Sequence, residues 1–161
     1  MLKYYLHVDS SNGDLMMKQT DRSFYEPVYT IGIAAKKLGV SVHSLRQYEA
    51  EGLILSYKTP TGRRLYSDLE IEKVRCIKKM IQDEGLNFEG IRRLMALVPC
   101  WKLRECSAEI QSACSAFGDS TKPCWSSENK CAHPLPSCRD CPVYQKIVHC
   151  NEIKNIIYEE K

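Results

Sequence analysis

The chain has 161 residues, enough for one or two small domains with modest cores, and carries 23 Lys/Arg, 20 Asp/Glu and nine cysteines. It contains no apolar run of transmembrane length, and Met1 to Val8 lacks the apolar core of a signal peptide. The expected location is therefore the cytoplasm, where stable disulfides are rare.

The net charge of +3 is unevenly placed. Residues 28–98 hold 12 basic against 8 acidic side chains, residues 1–27 hold 3 against 4, and residues 99–161 hold 8 against 8. The basic excess falls on one segment, as a nucleic-acid footprint would, although a solvated charged face gives the same count. Eight of the nine cysteines lie between Cys100 and Cys150, and only Cys76 lies outside. In a reducing compartment such density points to metal or redox chemistry rather than a disulfide scaffold.

In chain order, residues 1–27 read as an N-terminal arm, with Lys3 to Val8 as a short strand and Asn12-Gly13 as a hairpin-type turn. Thr30 suits a helix N-cap, followed by Ile31, Ala34, Ala35 and Leu38 at i, i+3, i+4 and i+7. Gly39 stands where a left-handed residue would end that helix. Ser41 caps a second helix predicted to run to Glu51 and stop at Gly52. So tight a junction makes a helix-turn-helix, an outline shared by helical hairpins that are packed only for stability. Leu53 to Tyr66 then turns extended around the tip Thr59-Pro60-Thr61-Gly62, with Arg63 and Arg64 just beyond it. Ser67-Asp68-Leu69-Glu70 is a capping box opening a third helix with Ile71, Val74, Ile77 and Ile81 on its apolar face. Cys76, beside that face, reads as a small core residue. A turn at Glu84 to Asn87 leads to a fourth helix carrying Ile91, Leu94, Met95 and Val98 on one side, and Pro99 closes the domain.

The remainder opens with a repeat. Pro99-Cys100-Trp101 followed by Cys106 returns as Pro123-Cys124-Trp125 followed by Cys131. Leu103, Cys106, Ile110, Ala113 and Phe117 step by three and four, which predicts a helix from about Lys102 to Phe117 that could carry a dimer seam. Val143, Ile147, Cys150, Ile153 and Ile157 suit a closing amphipathic helix.

The second helix of a helix-turn-helix lies in the major groove with its N-terminal side chains at base edges. His43, Ser44 and Gln47 are polar and face outward near that end, and a Gln can pair bidentately with adenine. Leu45 points inward, whereas Arg46 and Tyr48 suit phosphate contacts that position without reading sequence. Lys58, Arg63, Arg64 and Tyr66 add phosphate donors on the wing, and Thr30 completes the candidate DNA-binding set.

The stretch Tyr29-Thr30-Ile31-Gly32, Gly39-Val40-Ser41, Leu45-Arg46-Gln47-Tyr48-Glu49, Gly52-Leu53 and Gly62-Arg63-Arg64-Leu65-Tyr66-Ser67 resembles the MerR family of transcriptional regulators. Leu45 to Glu49, with Glu84 to Ile91, looks most like its heat-shock-repressor branch. The resemblance covers residues 28–98 and implies a winged helix-turn-helix that dimerises and binds an inverted repeat in double-stranded promoter DNA. It makes RNA polymerase a candidate partner. It also implies backbone contacts by Arg46, Tyr48, Arg63, Arg64 and Tyr66 and base reading by His43, Ser44 and Gln47. The family's long dimerisation helix should start near residue 99, where Pro99 and the cysteines stand instead.

Cys138 and Cys141 have the Cys-x-x-Cys spacing that lets two thiolates reach one metal. The paired Pro-Cys-Trp copies suggest two half-sites with Trp101 and Trp125 shielding sulfur from water. They resemble small cysteine-rich modules with two Cys-Trp motifs found in proteins of anaerobic bacteria. The candidate ligands are Cys100, Cys106, Cys114, Cys124, Cys131, Cys138, Cys141 and Cys150, and they suit zinc or an iron–sulfur cluster without distinguishing them. His133 and His149 lie near cysteines but read as surface groups.

The expected architecture is mainly α: an arm at 1–27, a winged helix-turn-helix domain at 28–98, and a small, partly helical cysteine-rich domain at 99–161. The expected function is a sequence-specific DNA-binding transcriptional regulator modulated by metal, redox state or a ligand. The alternative is a DNA-docking or architectural factor whose zinc is purely structural. A cysteine redox enzyme is disfavoured, because no paired acid/base constellation or nucleotide loop is present and Asp140 opposes thiolate formation.

Overall fold

The computed structural model describes residues 20–127, 137–148 and 155–156. The short strand and turn expected within residues 1–19 lie outside this set. Within the arm, Thr20–Tyr25 forms a helix, α1, which leads to a short strand, β1 (Tyr29–Thr30).

The two reader helices follow their local signals. Helix α2 (Ile31–Leu38) buries Ala34, Ala35 and Leu38 and ends at Gly39, whose φ of 62° is the left-handed value expected there. Thr30 occupies the N-cap position but makes no side-chain capping bond. Helix α3 (Val42–Ala50) starts at Ser41, whose hydroxyl accepts from the Ser44 amide at 2.9 Å. Glu51 is its C-cap, and Gly52 turns the chain at φ 70°.

Beyond that corner the extended stretch is strand only at its ends. Leu53 and Ile54 are buried without joining a sheet, and strands β2 (Tyr57–Lys58) and β3 (Arg64–Tyr66) form the wing. β3 is the central strand, antiparallel to both neighbours, with Tyr29 opposite Tyr66 and Lys58 opposite Arg64. The tip closes where the Thr59 amide donates to the Arg63 carbonyl at 2.9 Å and Gly62 turns at φ 78°.

Helix α4 (Asp68–Gln82) begins with the predicted capping box and buries Ile71, Val74 and Ile77, with Ile81 partly buried. Helix α5 (Phe88–Ala96) starts at Asn87, which accepts from the Gly90 amide at 2.8 Å, and buries Ile91 and Met95.

The cysteine-rich segment departs from expectation. The single helix predicted from Lys102 to Phe117 is two short ones, α6 (Cys100–Leu103) and α7 (Ala108–Ala113). The break lies at Glu105, in the left-handed region at φ 50°, after which Ser107 caps α7. A three–four spacing of apolar residues therefore survives here without a continuous helix. Tight 3₁₀ turns follow at Cys124–Ser126 and Cys138–Asp140, and α8 (Pro142–Lys146) ends before Ile147. The predicted closing helix is interrupted at residues 147–148, residues 155–156 are helical, and its positions Cys150, Ile153 and Ile157 lie outside the described residues.

The expected boundary at 98/99 is not a boundary in packing. Trp125, Cys141, Val143, Tyr144, Ile147 and Ile156 are buried in the same cluster as Leu53, Ile54, Ile71 and Ile91. At its centre is a polar group. The Glu70 carboxylate, fully buried, accepts from the Ser67 amide at 2.8 Å, from Arg139 Nη2 at 2.9 Å and from the Tyr144 hydroxyl at 3.2 Å. One turn on, Lys73 Nζ donates to the Tyr144 carbonyl at 2.6 Å and to the Ile147 carbonyl, and lies 4.1 Å from the Tyr144 ring centroid. Burial pushes the Lys73 ammonium down to about 7, with Glu70 opposing, and burial pushes the Tyr144 hydroxyl up.

Arg139→Ala would strand a buried carboxylate and is expected to cost about 3 kcal/mol in urea unfolding. Lys73 has a lower pKa folded than unfolded, so between about 7 and 10.5 the unfolded chain binds more protons and stability rises with pH. Between pH 7 and 9 the gain is about 2 kcal/mol. Cys100 acts in the same direction, so the contribution of Lys73 is the part of the gain lost in Lys73→Met.

Candidate nucleic-acid interface and cysteine pair

The outward face of α3 carries His43, Arg46 and Gln47, all exposed. Ser44 is half-buried, and its hydroxyl bonds Ser41 Oγ at 2.8 Å. Leu45, fully buried, pins the opposite face to the core, as its inward position in the pattern predicted. Lys58, Arg63 and Arg64 are exposed on the wing, and Arg64 reaches α3 by pairing with Glu49. The structure thus groups His43, Arg46, Gln47 and the three wing cations on solvent-accessible surface, while Thr30 is half-buried at the start of α2.

Two expected phosphate contacts are corrected. Tyr66 is 0% exposed and its hydroxyl donates to Glu49 Oε2 at 3.3 Å, so it has no surface with which to meet a phosphate. Burial, with the Glu49 charge, pushes its hydroxyl far up. Tyr48 is 8% exposed with its ring edge-on to Phe88, the centroids lying 5.9 Å apart. Both tyrosines build the reader rather than extend it.

Sequence reasoning missed the residue that joins helix to wing. Glu49, on the last turn of α3, accepts from Arg64 Nε at 3.0 Å, from Tyr66 and from Ser56. A carboxylate with these three donors fixes the angle between α3 and the wing. The local pattern Leu45-Arg46-Gln47-Tyr48-Glu49 contained it, but its partners lie 7 to 17 residues on. Arg92 similarly ties the end of α3 to α5 by pairing with Glu51 at 2.6 Å and with Glu89 at 2.5 Å.

Of the candidate ligands, the structure brings the two repeat cysteines together. Cys100 opens α6 and Cys124 opens a 3₁₀ turn, each directly after its proline, and the two thiols are hydrogen-bonded. That bond is the largest cause drawing the Cys100 thiol down to about 7; burial opposes it, and the amides of Trp101 and Cys100 assist. Cys106 and Cys114 are half-buried, Cys138 is exposed and Cys141 is buried. Cys131 and Cys150, with His133 and His149, lie outside the described residues. Among the described residues no group of three or more His, Cys, Asp or Glu is placed to hold a metal ion. The described thiols therefore fit a centre taking two thiolates, and by themselves they do not complete a four-ligand zinc or cluster site. Cys76, half-buried against the core, is disulfide-bonded rather than a simple core thiol.

The tryptophans are placed unequally. Trp125, 9% exposed, stands edge-on to Tyr144 and donates its indole N–H to the Gly52 carbonyl at 2.9 Å. Trp101 stands edge-on to Phe117.

Residues 29–97 match the family described as MerR HTH family regulatory protein. Over 71 residues the chain is 41% identical to a heat shock protein, HspR, of Streptomyces coelicolor, covering 44% of this chain and 47% of that one. The HTH-type transcriptional regulator HmrR of Sinorhizobium medicae is 30% identical over 131 residues, covering 73% of this chain and 84% of the relative. The chain belongs to the MerR family. A further relative of this MerR-family chain, the heavy metal-dependent transcription regulator 2 of Rhizobium meliloti, is 29% identical over 74% of this chain and 86% of its own length. The chain spans about half the length of several other curated relatives that it matches. Among the described residues, no helix of this MerR-family chain is long and apolar enough to cross a membrane.

The buried and exposed members of the interface separate by salt dependence. Lys58→Ala is expected to flatten the slope of log DNA affinity against log salt by about one per protomer. Tyr66→Phe is expected to leave that slope unchanged while costing about 1 kcal/mol of stability.

Proposed function

We propose that this chain is a transcriptional regulator that binds an inverted repeat in promoter DNA as a homodimer and changes its DNA binding when its cysteines take up a metal, are oxidised or meet a ligand. The observation that carries the reading is the exposed face of α3 with His43, Arg46 and Gln47, joined through Glu49–Arg64 to a wing that exposes Lys58, Arg63 and Arg64, on a chain of the MerR family. Arg46 and the wing cations hold phosphate, while Gln47 and His43 reach base edges, aided by Ser44. This is binding chemistry, with no catalytic residue assigned, and RNA polymerase is the partner through which bound DNA would be read.

The cysteine half of the reading rests on the hydrogen-bonded thiols of Cys100 and Cys124 and on relatives named as transcriptional and heavy metal-dependent regulators. A bound metal would supply a charge-neutralised link between thiolates, with Cys100 and Cys124 as two of its ligands. The alternative, an architectural factor with structural zinc, draws on the shared core of reader and cysteine segment.

Selection of bound duplexes from a random pool, followed by footprinting, should recover an inverted repeat. Arg46→Ala with Arg63→Ala should weaken binding at least tenfold and flatten the salt slope by about two per protomer. Unchanged affinity and slope in that double variant would sink the reader assignment. DNA affinity that responds to neither thiol oxidant nor metal would favour the architectural alternative.

A further inference from the structure

The second Pro-Cys-Trp copy touches the DNA reader directly. Trp125 donates to the carbonyl of Gly52, the residue at which α3 gives way to the wing. Gly52 has φ 70°, and a Cβ built on it would lie 2.6 Å from Ser126 Cβ, so the contact requires glycine for both backbone and space. On one side of this corner the Gly52 amide bonds the Glu49 carbonyl at 3.0 Å, and the Leu53 amide bonds the Tyr48 carbonyl at 3.0 Å. On the other, Leu53 and Ile54 are fully buried. Cys124 and Trp125 are consecutive residues of one 3₁₀ turn, so a change in where the Cys124 sulfur sits reorients the indole that grips the corner.

We propose that Trp125 is a positioning residue: a thiophilic centre bridging Cys100 and Cys124 changes DNA affinity through the Trp125–Gly52 hydrogen bond. The inference rests on the DNA-binding reading above and adds the site of occupation and the route to the reader. In the hydrogen-bonded pair a thiol proton lies between the two sulfurs. A bridging centre replaces that proton with an atom of larger radius and fixed bond angle, which resets the separation of the two turns. The turn bearing Cys100 follows α5, whereas the turn bearing Cys124 rests on the corner, so relative displacement is transmitted to Gly52.

A trivalent aryl arsenical is a suitable probe. Its As=O bond breaks, two As–S bonds form to Cys100 and Cys124, and the oxygen leaves as water with the two thiol protons, without change of oxidation state. In the full chain with the Cys76 disulfide kept, one equivalent is expected to change affinity for the selected duplex by about tenfold, the size of one lost buried hydrogen bond. Trp125→Phe keeps a ring against Tyr144 but has no N–H to donate, and should change less than twofold on treatment while taking up the same arsenic. Cys100→Ser should lose the response. A wild-type-sized response in Trp125→Phe overturns the proposal, and one in Cys100→Ser places the response on another thiol pair and overturns it too. In the wild-type chain, exchange of the Trp125 indole proton with solvent should quicken on bridging, and unchanged exchange counts against the route even if the variant fails to fold. Absence of any selectable duplex for the untreated protein would instead remove the DNA-binding reading.

Discussion

The Glu70 carboxylate is the group on which the rest of the arrangement depends. It sits at the third position of α4, where it completes the cap on Ser67, and from there it also receives Arg139 and the Tyr144 hydroxyl. A carboxylate removed from water is tolerable only when its lone pairs are occupied. Local sequence supplies one occupant, and residues about 70 positions later supply the others. The cysteine segment is therefore not a tail appended to a reader. Without it, the start of α4 would hold an unpaired buried charge next to Lys73, itself buried and bonded to carbonyls of that segment.

Such a centre fixes position more than it adds stability, because desolvation of both partners offsets much of their attraction. Its contribution is geometric: Arg139 and Tyr144 can meet Glu70 only with the start of α8 held against the first turn of α4. Tyr144 then places its ring against Trp125 and its hydroxyl on the Leu55 amide at 2.9 Å, so the register of α8 reaches the start of the wing. From there the wing is bound to α3 through Glu49. Breaking the centre costs several kcal/mol, whereas the single indole bond to Gly52 is worth about 1 kcal/mol. Of the contacts between the two regions, the weaker one is the one a bound group can alter without unfolding the chain.

What the sequence revealed divides along the same line. Helices α2 to α5 were legible because their signals are local: Ser41, Gly39, the Ser67–Glu70 box and the spacing of Ile71, Val74 and Ile77 act within a few residues of where they stand. The exposed side of α3 followed from the same periodicity. Tyr48 and Tyr66 were misplaced because an amphipathic side chain reads equally well as a phosphate donor and as a core residue with a polar tip. The decision rested on Glu49 and Phe88, which are not marked as their partners in the pattern. In the cysteine segment, Arg139 lies between two cysteines that drew attention to metal chemistry, and nothing near it announces a carboxylate. The long helix expected through residue 117 failed for a related reason. Apolar spacing reports which residues face a core but not whether the backbone between them stays helical, and Glu105 and Ser107 break it.

The repeat did carry information beyond composition. Two copies of Pro-Cys-Trp each start a tight helical turn with the proline at the cap, so each presents its sulfur at the first position of the turn and its indole at the next. Placed together, the copies join through their thiols, yet their indoles have different duties: Trp101 packs on Phe117 within the cysteine segment, and Trp125 on the reader. A pair alike at sulfur and unlike at tryptophan has one side that belongs to the segment and one that belongs to the DNA-binding corner. Any group that holds the two sulfurs at a new separation must then move one side against the other. Because α8 is held to α4 by the Glu70 centre, the displacement falls on the lightly bonded Gly52 corner between recognition helix and wing.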